Sequence, residues 1–478
     1  MPNEYPVGSF QSLVPEPSSP ALLNDLTTAA IDFDVTTGAR AEHARDWWPR
    51  TIPNVVAGVV EHWPGVVVRP TSSDEVSRLL SIASRHGAAV TAQGGRSSVV
   101  GGCVVPAGGI ALDLTGLNRV IDIDTLSGTV SVEAGVFGPD LEQAVRSTGW
   151  TVGHLPQSFD LATVGGWIAC RGAGQYSNRY GKIEDIVRSL TVVLANGNVI
   201  EVGGQSPRQA VGPDLMALFV GSEGAFGVIT RATLVMHPLA TAERRAAYGF
   251  STFSDGLTAC RRIMQRDARP AVLRLYDESE SKRVFDMAHC TLVVLDEGDE
   301  LLVDATMTIV EQECASATSL DVGIVSTWLA HRNDVGSLAP LWEHGIVVDT
   351  IEVAGSWAIL PTMHQRVMAA LLAVPDMLVA SVHQSHAYLD GACLYFTFAG
   401  RPPTAVTEFY RRSWDVAVNE VIECGGSLSH HHGVGRNRAR FVTDALASAY
   451  PILSELKDQF DPLHIMNPGV LGLGAPPW

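Results

Sequence analysis

Three consecutive histidines, His430, His431 and His432, begin the sequence HHHGVGRNR, which continues through Arg436 and Arg438. An imidazole changes its charge near neutral pH and can therefore accept or donate a proton, and a guanidinium holds a carboxylate or phosphate through paired hydrogen bonds. Imidazole is also a common metal ligand. This short segment therefore has the chemistry for proton transfer beside an anionic substrate, or for a metal site.

Two further polar side chains interrupt apolar stretches: Tyr395 in the sequence LYF and Arg274 in the sequence LRL. A tyrosine in such a stretch is most often a core aromatic whose hydroxyl has found a partner. Alternation along a strand could equally turn the arginine toward solvent. Residue type alone leaves these alternatives open beside a functional role.

The chain that must position these groups alternates between strands and helices. Residues 72–87 are predicted to form a helix, because Ser72 and Glu75 make a capping box and a glycine ends the apolar periodicity. Residues 119–135 and 191–202 are predicted hairpins, the second with an Asn-Gly turn.

The distribution of glycine and proline predicts the domain organisation. Residues 1–40, rich in Pro, Ser and Thr, are expected to form a poorly ordered or loosely docked arm. Beyond Pro238 glycine becomes rarer and longer mixed α/β segments follow, which predicts a second domain with its own sheet. We expect an N-terminal arm and helical segment (1–58), a first domain (59–240), a second domain (241–440) and a C-terminal segment (441–478).

Glycine is concentrated in three stretches: AQGGRSSVVGG (92–102), residues 153–187 and GSEGAFGVIT (221–230). Glycine allows positive φ and lets backbone N–H groups approach a phosphate closely. The first stretch fits neither GxGxxG nor GxxxxGK[ST], which argues against a Rossmann fingerprint and a Walker loop. Three such stretches in one part of the chain predict backbone wrapped around a large, extended ligand.

Composition narrows the class of protein. The 478 residues carry 33 Lys and Arg against 51 Asp and Glu, a formal charge of −18, and so acidic a chain disfavours a nucleic-acid partner. Seven scattered cysteines without a CxxC pair argue against a disulfide framework and a zinc ribbon. No signal peptide and no apolar run long enough to span a membrane are visible. We expect a soluble, cytoplasmic protein.

The sequence from VVVRPTSSDEV to GSEGAFGVITRATL resembles the FAD-binding domain of the vanillyl-alcohol-oxidase/p-cresol-methylhydroxylase (PCMH) superfamily. The resemblance implies an α+β fold: a PCMH-type FAD-binding domain of two α/β subdomains, an α/β cap domain with an antiparallel sheet, and a C-terminal segment returning to the FAD domain. It also implies that the first loop holds pyrophosphate and that later loops hold the flavin. The implied cofactor residues are Gly94, Gly95, Arg96, Ser97, Ser98, Pro156, Ser158, Thr163, Val164, Gly165, Gly166, Asn178, Tyr180, Glu223, Gly224 and Ile229.

Many members of this superfamily attach FAD covalently through a histidine in the first loop. Here the corresponding sequence is GGRSS, which has no histidine, so we predict non-covalent FAD. The same sequence departs from the family's GGGTS by Arg96, which we expect either to add charge to the pyrophosphate site or to retune the cofactor.

Two branches of the superfamily compete for the histidine segment. The branch similar to D-lactate and 2-hydroxyglutarate dehydrogenases holds a metal between an HxGDGNxH segment and the glutamate of an EHGIG segment. Here the first segment keeps His386 but has Tyr395 in place of its second histidine, and the second has His430 or His431 in place of the glutamate. Because the expected carboxylate and one imidazole are both absent, we predict no bound metal.

The other branch is alkyldihydroxyacetonephosphate synthase, which GGSLSHHHGVGRNR, DGACLYFTFAG and RPAVLRLYDESE closely resemble, within a resemblance covering residues 45–472. It implies a non-redox exchange in which a flavin adduct of the acylated substrate loses a fatty acid and gains a fatty alcohol. The implied roles are Tyr395 as acid/base, His430, His431 and His432 in proton transfer and substrate binding, Arg274 beside the flavin and the leaving carboxylate, and Arg436 and Arg438 as phosphate contacts.

We therefore predict an FAD-dependent, alkyldihydroxyacetonephosphate-synthase-like enzyme for a small-molecule or lipid-like substrate. A homodimer is expected from its relatives, and peripheral membrane contact is left open. One alternative is an FAD-dependent oxidase or dehydrogenase of a hydroxy acid or a secondary metabolite that uses the same pocket. Another is a flavin-binding protein without catalysis. The need for an electron acceptor distinguishes the synthase from the oxidase or dehydrogenase, because a synthase needs none.

Overall fold

The computed structural model describes residues 14–334, 336 and 339–474. The first sheet consists of β1 (Phe33–Asp34), β2 (Val66–Val68), β3 (Val90–Gln93) and β4 (Ile110–Asp113), in the order β1–β2–β4–β3. Strands β2, β3 and β4 are parallel, and β1 pairs antiparallel with β2. The helices of this part are α1 (Pro20–Thr28), α2 (Thr37–Glu42), α3 (Ile52–Val56) and α4 (Ser73–His86).

Helix α4 confirms the prediction for residues 72–87. The hydroxyl of Ser72 accepts the backbone N–H of Glu75, and the helix ends at Gly87 with a φ of 60°, a left-handed conformation that favours glycine. Val76 and Leu79 on its apolar face are fully buried in the core beside the first sheet.

Residues 20–42 are firmly packed, so the prediction of a loosely docked arm is wrong there. Leu22 and Leu26 of α1 are buried in the same core as the first sheet. The guanidinium of Arg40 on α2 is buried and donates to backbone carbonyls. Helices this short depend on tertiary partners, which composition does not reveal. Residues 1–13 of the predicted arm lie outside the described residues.

The second sheet follows the first glycine-rich loop. The strands of this part of the chain are β5 (Val120–Asp124), β6 (Thr129–Glu133), β7 (Trp150–Thr151), β8 (Val187–Val193), β9 (Val199–Gly203), β10 (Val228–Val235) and β11 (His237–Pro238). Five of them form an antiparallel sheet in the order β5–β6–β10–β8–β9, and β7 pairs with β11. Its helices are α5 (Gly138–Arg146), α6 (Val164–Ala169), α7 (Ser177–Tyr180) and α8 (Ile183–Ile186). The pairs β5/β6 and β8/β9 confirm both predicted hairpins.

The third sheet is antiparallel throughout. Its strands are β12 (Ala242–Phe250), β13 (Val272–Tyr276), β14 (Cys290–Gly298), β15 (Thr318–Ser319), β16 (Val347–Ser356), β17 (Met377–Ala387) and β18 (Gly391–Gly400), in the order β15–β12–β14–β13–β17–β18–β16. Its helices are α9 (Phe253–Gln265), α10 (Glu278–Phe285), α11 (Glu300–Glu313), α12 (Gly323–His331), α13 (Ala339–Glu343), α14 (Leu360–Leu372) and α15 (Val406–Glu423).

The C-terminal segment contains α16 (Val442–Leu446) and α17 (Tyr450–Phe460) and then packs against the glycine-rich loops. The side-chain amide of Asn467 donates to the carbonyls of Gly102 and Glu223. Its backbone N–H donates to Val90 on β3. The predicted α+β architecture is confirmed. In the described part of the chain, no helix has both the length and the apolar character needed to cross a membrane.

Candidate active site

A cavity of about 590 Å³ lies between the glycine-rich loops and one face of the third sheet. Its loop side is formed within residues 92–103, 156–173 and 223–229, and residues 45–55 contribute another part of the wall. The opposite side is formed by side chains of the third sheet and its helices, together with His431 and His432.

Strand alternation decides which side chains of the third sheet reach this cavity. Leu394 and Phe396 on β18 are fully buried in the core under the helices, whereas Tyr395 and Thr397 line the cavity. Arg274 on β13 lines it in the same way, between two buried leucines. The structure thus brings the two polar residues singled out in apolar stretches to one site.

The first glycine-rich loop forms a concave run of backbone donors. Arg96 has a φ of 54°, and in the described part of the chain the backbone N–H groups of residues 95–99 donate to no protein acceptor. Successive N–H groups in such a turn bind phosphate oxygens. This donor set fits the pyrophosphate of FAD. The side chain of Arg96 instead forms an ion pair with Glu42 on α2, at 2.7 Å.

Most of the predicted cofactor residues line the cavity. They are Gly94, Gly95, Arg96, Ser97, Ser98, Pro156, Ser158, Thr163, Gly165, Gly166, Glu223, Gly224 and Ile229.

Val164, Asn178 and Tyr180 are not among the lining residues. Val164 is fully buried in the core of the second sheet. The amide oxygen of Asn178 accepts the N–H of Ala387, and the hydroxyl of Tyr180 donates to Glu297 at 2.6 Å. The structure therefore gives these three residues contacts within the protein, and their contact with FAD stays a prediction.

Glu223 joins the FAD-binding side of the cavity to the histidine segment. Its carboxylate accepts the backbone N–H groups of Val434 and Gly435, immediately after the three histidines. Burial raises the pKa of Glu223 to about 7. Glu223 thus helps to hold the histidine segment against the glycine-rich loops.

Four side chains form a row across the third sheet. The strand register pairs Tyr276 with His383, His383 with Tyr395, and Tyr395 with Glu352. Residues paired in this way project from the same face of the sheet. The rings of His383 and Tyr395 stack with centroids 4.8 Å apart. Neighbouring strands therefore bring four residues from distant parts of the sequence into contact range.

Tyr395 and Glu352 of this row lie on either side of the His432 ring, which hydrogen-bonds to Tyr395 and faces the carboxylate of Glu352. The hydroxyl of Tyr395 lies 3.2 Å from Nε2 of His432, and Nδ1 of His432 lies 3.5 Å from a carboxylate oxygen of Glu352. Burial raises the pKa of Tyr395 well above its usual range and lowers that of His432 to about 4. At pH 7 the tyrosine is therefore protonated and the imidazole is neutral.

Glu352 is a buried anion that anchors the histidine segment. Burial opposes its ionisation, but the guanidinium of Arg438 at 3.0 Å and the neighbouring His432 outweigh burial and hold the pKa of Glu352 well below its usual range. Its oxygens also accept the backbone N–H groups of His430 and His432, each at 2.7 Å. The carboxylate therefore fixes the turn on which the histidines lie.

The remaining histidines form a second group behind His432. Nδ1 of His430 lies 2.9 Å from Nδ1 of His431, and the other ring nitrogen of His430 lies 2.7 Å from the hydroxyl of Tyr388. His431 lines the cavity and His430 does not. Burial lowers the pKa of each to about 3, so both rings are neutral at pH 7.

His386 stacks on His430, and its Nδ1 lies 2.8 Å from the hydroxyl of Ser177. One ring nitrogen from each of His386, His430 and His431 lies within 4.8 Å of the others, a spacing compatible with one metal ion. Among the described residues this group consists of imidazoles alone. The absence of a bound metal stays a prediction.

The three predicted substrate arginines lie in different surroundings. Arg274 lines the cavity, with Nη2 2.7 Å from Nε2 of His383. Arg438 is fully buried against Glu352 and Trp414, and Arg436 donates to the carbonyl of Val104. Neither Arg436 nor Arg438 lines the cavity, and their assignment as phosphate contacts stays a prediction.

Three residues of this site are not among those predicted from the sequence: Glu352, His383 and Glu280. Glu352 lies in the sequence TIEVAG and His383 in ASVHQS, each with an apolar residue before it in a strand. The same signal, a polar residue inside an apolar strand, singled out Tyr395 and Arg274. Applied to every strand, it would have found Glu352 and His383.

Two family models together span most of the chain. Residues 64–203 match the model described as FAD binding domain, and residues 239–471 match the model described as FAD linked oxidases, C-terminal domain. The chain is 31% identical over 431 residues to the uncharacterized FAD-linked oxidoreductase YgcU of Escherichia coli, a match covering 85% of this chain and 89% of that protein. This chain belongs to the FAD-linked oxidases.

Other relatives of this chain have names that point to different reactions. Alkyldihydroxyacetonephosphate synthase of Dictyostelium discoideum is 28% identical over 473 residues, covering 90% of this chain and 77% of that protein. Glycolate oxidase subunit GlcD of Bacillus subtilis is 26% identical over 465 residues, covering 92% of this chain and 93% of that protein. The family includes oxidoreductases and synthases, and family membership alone does not choose between them.

Solved structures confirm the fold of this chain. A structure of alkyldihydroxyacetonephosphate synthase superposes with a TM-score of 0.82 at 25% identity, covering 97% of this chain and 88% of that one. p-Cresol methylhydroxylase, at 16% identity, superposes with a TM-score of 0.73 over 96% of this chain and 99% of that one. The predicted PCMH-type fold and the prediction of FAD as cofactor are both confirmed.

Proposed function

We propose that this protein is an alkyldihydroxyacetonephosphate-synthase-like transferase. It would exchange the acyl group of an acylated dihydroxyacetone phosphate for an alkyl group, without net oxidation. The observation that carries the proposal is the Tyr395–His432–Glu352 set, which faces a partly apolar cavity together with Arg274. When bound, FAD supplies the electron-accepting ring system, and the remaining work falls to side chains.

Proton transfer is assigned to Tyr395 and His432. The tyrosine proton moves to Nε2 of the neutral imidazole, and the tyrosine oxygen takes the proton from the substrate carbon next to the ketone. The imidazolium that results is stabilised by Glu352, whose charged carboxylate faces its Nδ1. General acid–base catalysis of this kind contributes about 10²- to 10⁴-fold to a rate.

Arg274 is assigned to the carboxylate that leaves. Its Nε is buried without a hydrogen-bond partner among the described residues, and no carboxylate pairs with its guanidinium in that part of the chain. A guanidinium with donors left over in a cavity favours an anionic ligand. A fatty acid released beside Arg274 meets this requirement.

Apolar side chains favour a substrate with a long hydrocarbon chain. The wall of the cavity includes Ile52, Val55, Val284, Trp328 and Trp342. Burying a hydrocarbon chain against such groups contributes about 0.8 kcal/mol per methylene group. A small hydroxy acid does not need a wall of this kind, and this observation favours the synthase over the alternatives.

The proposal is tested by product analysis without an electron acceptor. FAD-loaded protein is incubated anaerobically with palmitoyl dihydroxyacetone phosphate and hexadecanol, and the ether product and released palmitate are measured by mass spectrometry. We expect equal amounts of both over many turnovers. Formation of an oxidised product, and only when a dye is added, would contradict the proposal.

The second candidate is an FAD-dependent oxidase or dehydrogenase of a hydroxy acid. The similarity to glycolate oxidase subunit GlcD supports it, and Arg274 with Tyr395 could equally hold a carboxylate and accept a hydroxyl proton. Its distinguishing requirement is an electron acceptor at every turnover.

Several expectations concern the surroundings of the protein. The following expectations stay predictions: the homodimer, peripheral membrane contact, a cytoplasmic location, the absence of a nucleic-acid partner, and the domain boundaries at residues 58, 240 and 440. Non-covalent attachment of FAD accords with the family, and denaturation followed by centrifugation tests it, since free FAD should then remain in the supernatant.

A further inference from the structure

His383 lies in the middle of the row and contacts three groups of the candidate site. Its Nε2 lies 2.7 Å from Nη2 of Arg274, and its Nδ1 lies 3.1 Å from a carboxylate oxygen of Glu280. Its ring stacks on Tyr395 with an interplanar angle of 14°. The side chain is buried, with 6% of its surface exposed.

These contacts determine where the proton of His383 lies. A guanidinium only donates hydrogen bonds, so Nε2 of His383 must accept from Arg274. The single proton of the neutral ring then lies on Nδ1 and is donated to Glu280. Burial lowers the pKa of His383, which keeps the ring neutral and preserves this tautomer.

Glu280 is held in place at the end of the hydrogen-bond series Arg274–His383–Glu280. It is 4% exposed, its backbone N–H donates to Asp277, and its carboxylate also pairs with Arg283 at 3.0 Å. The hydroxyl of Ser381 donates to its other oxygen at 3.5 Å. Burial opposes ionisation, but His383 and Arg283 outweigh it and lower the pKa of Glu280.

The consequence for Arg274 is a restricted orientation. His383 engages one terminal nitrogen, and the guanidinium carbon lies 5.9 Å and 5.8 Å from the ring centres of Tyr276 and Trp328. Its Nε is left without a partner among the described residues. Because the guanidinium is held on several sides, its orientation at the cavity wall is restricted.

We propose that His383 is a positioning residue that Glu280 locks in the tautomer accepting a hydrogen bond from Arg274. In this arrangement His383 aims the guanidinium at the carboxylate of a fatty acid in the cavity, and its ring supports Tyr395. The inference rests on the proposed function, which names the carboxylate.

The test compares a fatty carboxylate with its uncharged analogue. FAD-loaded protein is titrated with sodium octanoate and, separately, with octanamide, and the change in flavin absorbance gives two dissociation constants. The ratio of the two dissociation constants measures how well Arg274 recognises the negative charge. A general loss of packing would weaken binding of both compounds and leave the ratio unchanged. No turnover is needed.

Four variants separate the hydrogen bonds from ring packing and from folding. His383→Phe keeps an aromatic ring beside Tyr395 but removes the acceptor, and Glu280→Leu removes the group that fixes the tautomer. We expect each to lower the preference for octanoate at least tenfold. His383→Gln and Glu280→Gln keep an acceptor and should stay within about threefold of the wild type.

A matched control is the buried pair formed by His43 and Asp113, 3.3 Å apart and outside the cavity lining. His43→Phe should leave the octanoate preference unchanged. If the wild type does not prefer octanoate, the anion site of the proposed function is wrong. If it does and the Phe and Leu variants keep that preference, the positioning role of His383 is overturned. If His383→Phe does not bind FAD, the octanoate preference of Glu280→Leu compared with that of Glu280→Gln decides whether His383 has the positioning role.

Discussion

Replacing Tyr395 with phenylalanine removes one oxygen atom from the candidate site and keeps the ring that stacks on His383. The lost hydroxyl contacts Nε2 of His432 at 3.2 Å and the hydroxyl of Thr350 at 3.4 Å. A typical hydrogen bond contributes about 0.5–1.5 kcal/mol to stability, so we expect the free energy of unfolding to fall by about 1 kcal/mol. The exchange rate should fall about 10²- to 10⁴-fold, because the proton path ends at the missing oxygen.

Two measurements on the same preparation separate these effects. Urea unfolding gives the change in stability, and initial rates of ether formation at saturating FAD give the change in activity. Tyr450→Phe is the matched control, since it removes a hydroxyl that donates to the carbonyl of Gly472 at 2.8 Å, outside the cavity lining. Tyr450→Phe should lower the free energy of unfolding by a similar amount and keep the rate of ether formation within about twofold of the wild type. A Tyr395→Phe enzyme that retains more than a third of the rate would refute the acid/base assignment.

Four further predictions address the anchor, pH, FAD and metal. Glu352→Leu should lower the free energy of unfolding by about 3–5 kcal/mol in urea, because it leaves Arg438 as a buried charge without its carboxylate. Folded His432 has a pKa of about 4 against 6.5 unfolded, so only the unfolded chain gains its proton between these values. The contribution of neutral His432 to the free energy of unfolding is therefore lost as pH falls, by about 2 kcal/mol from pH 7 to pH 5. The variant His432→Asn should lack this contribution to the pH dependence of the urea midpoint. Gly95→Ala should lower the FAD content after purification by more than half, since the new Cβ would lie 1.7 Å from the carbonyl oxygen of Leu161. Dialysis against EDTA should leave both the FAD content and the exchange rate unchanged, and a loss that zinc restores would show that the histidine group holds a metal.

Local elements could be predicted from the sequence because their signals are local. The cap at Ser72, the glycine after α4 and the Asn-Gly turn between β8 and β9 each lie within a few residues of the structure they specify. Helix α1 was missed because what stabilises it is burial of Leu22 and Leu26 against strands elsewhere in the chain.

The candidate site could be predicted only where a residue type was unusual in its own stretch. Tyr395 and Arg274 were singled out as polar residues among apolar neighbours, and both line the cavity. The partnership of Tyr395 with Glu352 and His383 depends on the register of three strands, which single-residue patterns do not specify. The resemblance assigns Arg438 to a phosphate, and the sequence gives no sign of its ion pair with Glu352, which depends on how β16 packs against the histidine segment.

The central claim, exchange without net electron transfer, is tested most directly by an anaerobic titration followed through flavin absorbance. Palmitoyl dihydroxyacetone phosphate should bleach the flavin in a form that persists, and hexadecanol should restore the absorbance while an equal amount of ether appears and no acceptor is consumed. Full reduction by glycolate or D-lactate, reversed only by oxygen or a dye, would contradict the account and establish the dehydrogenase.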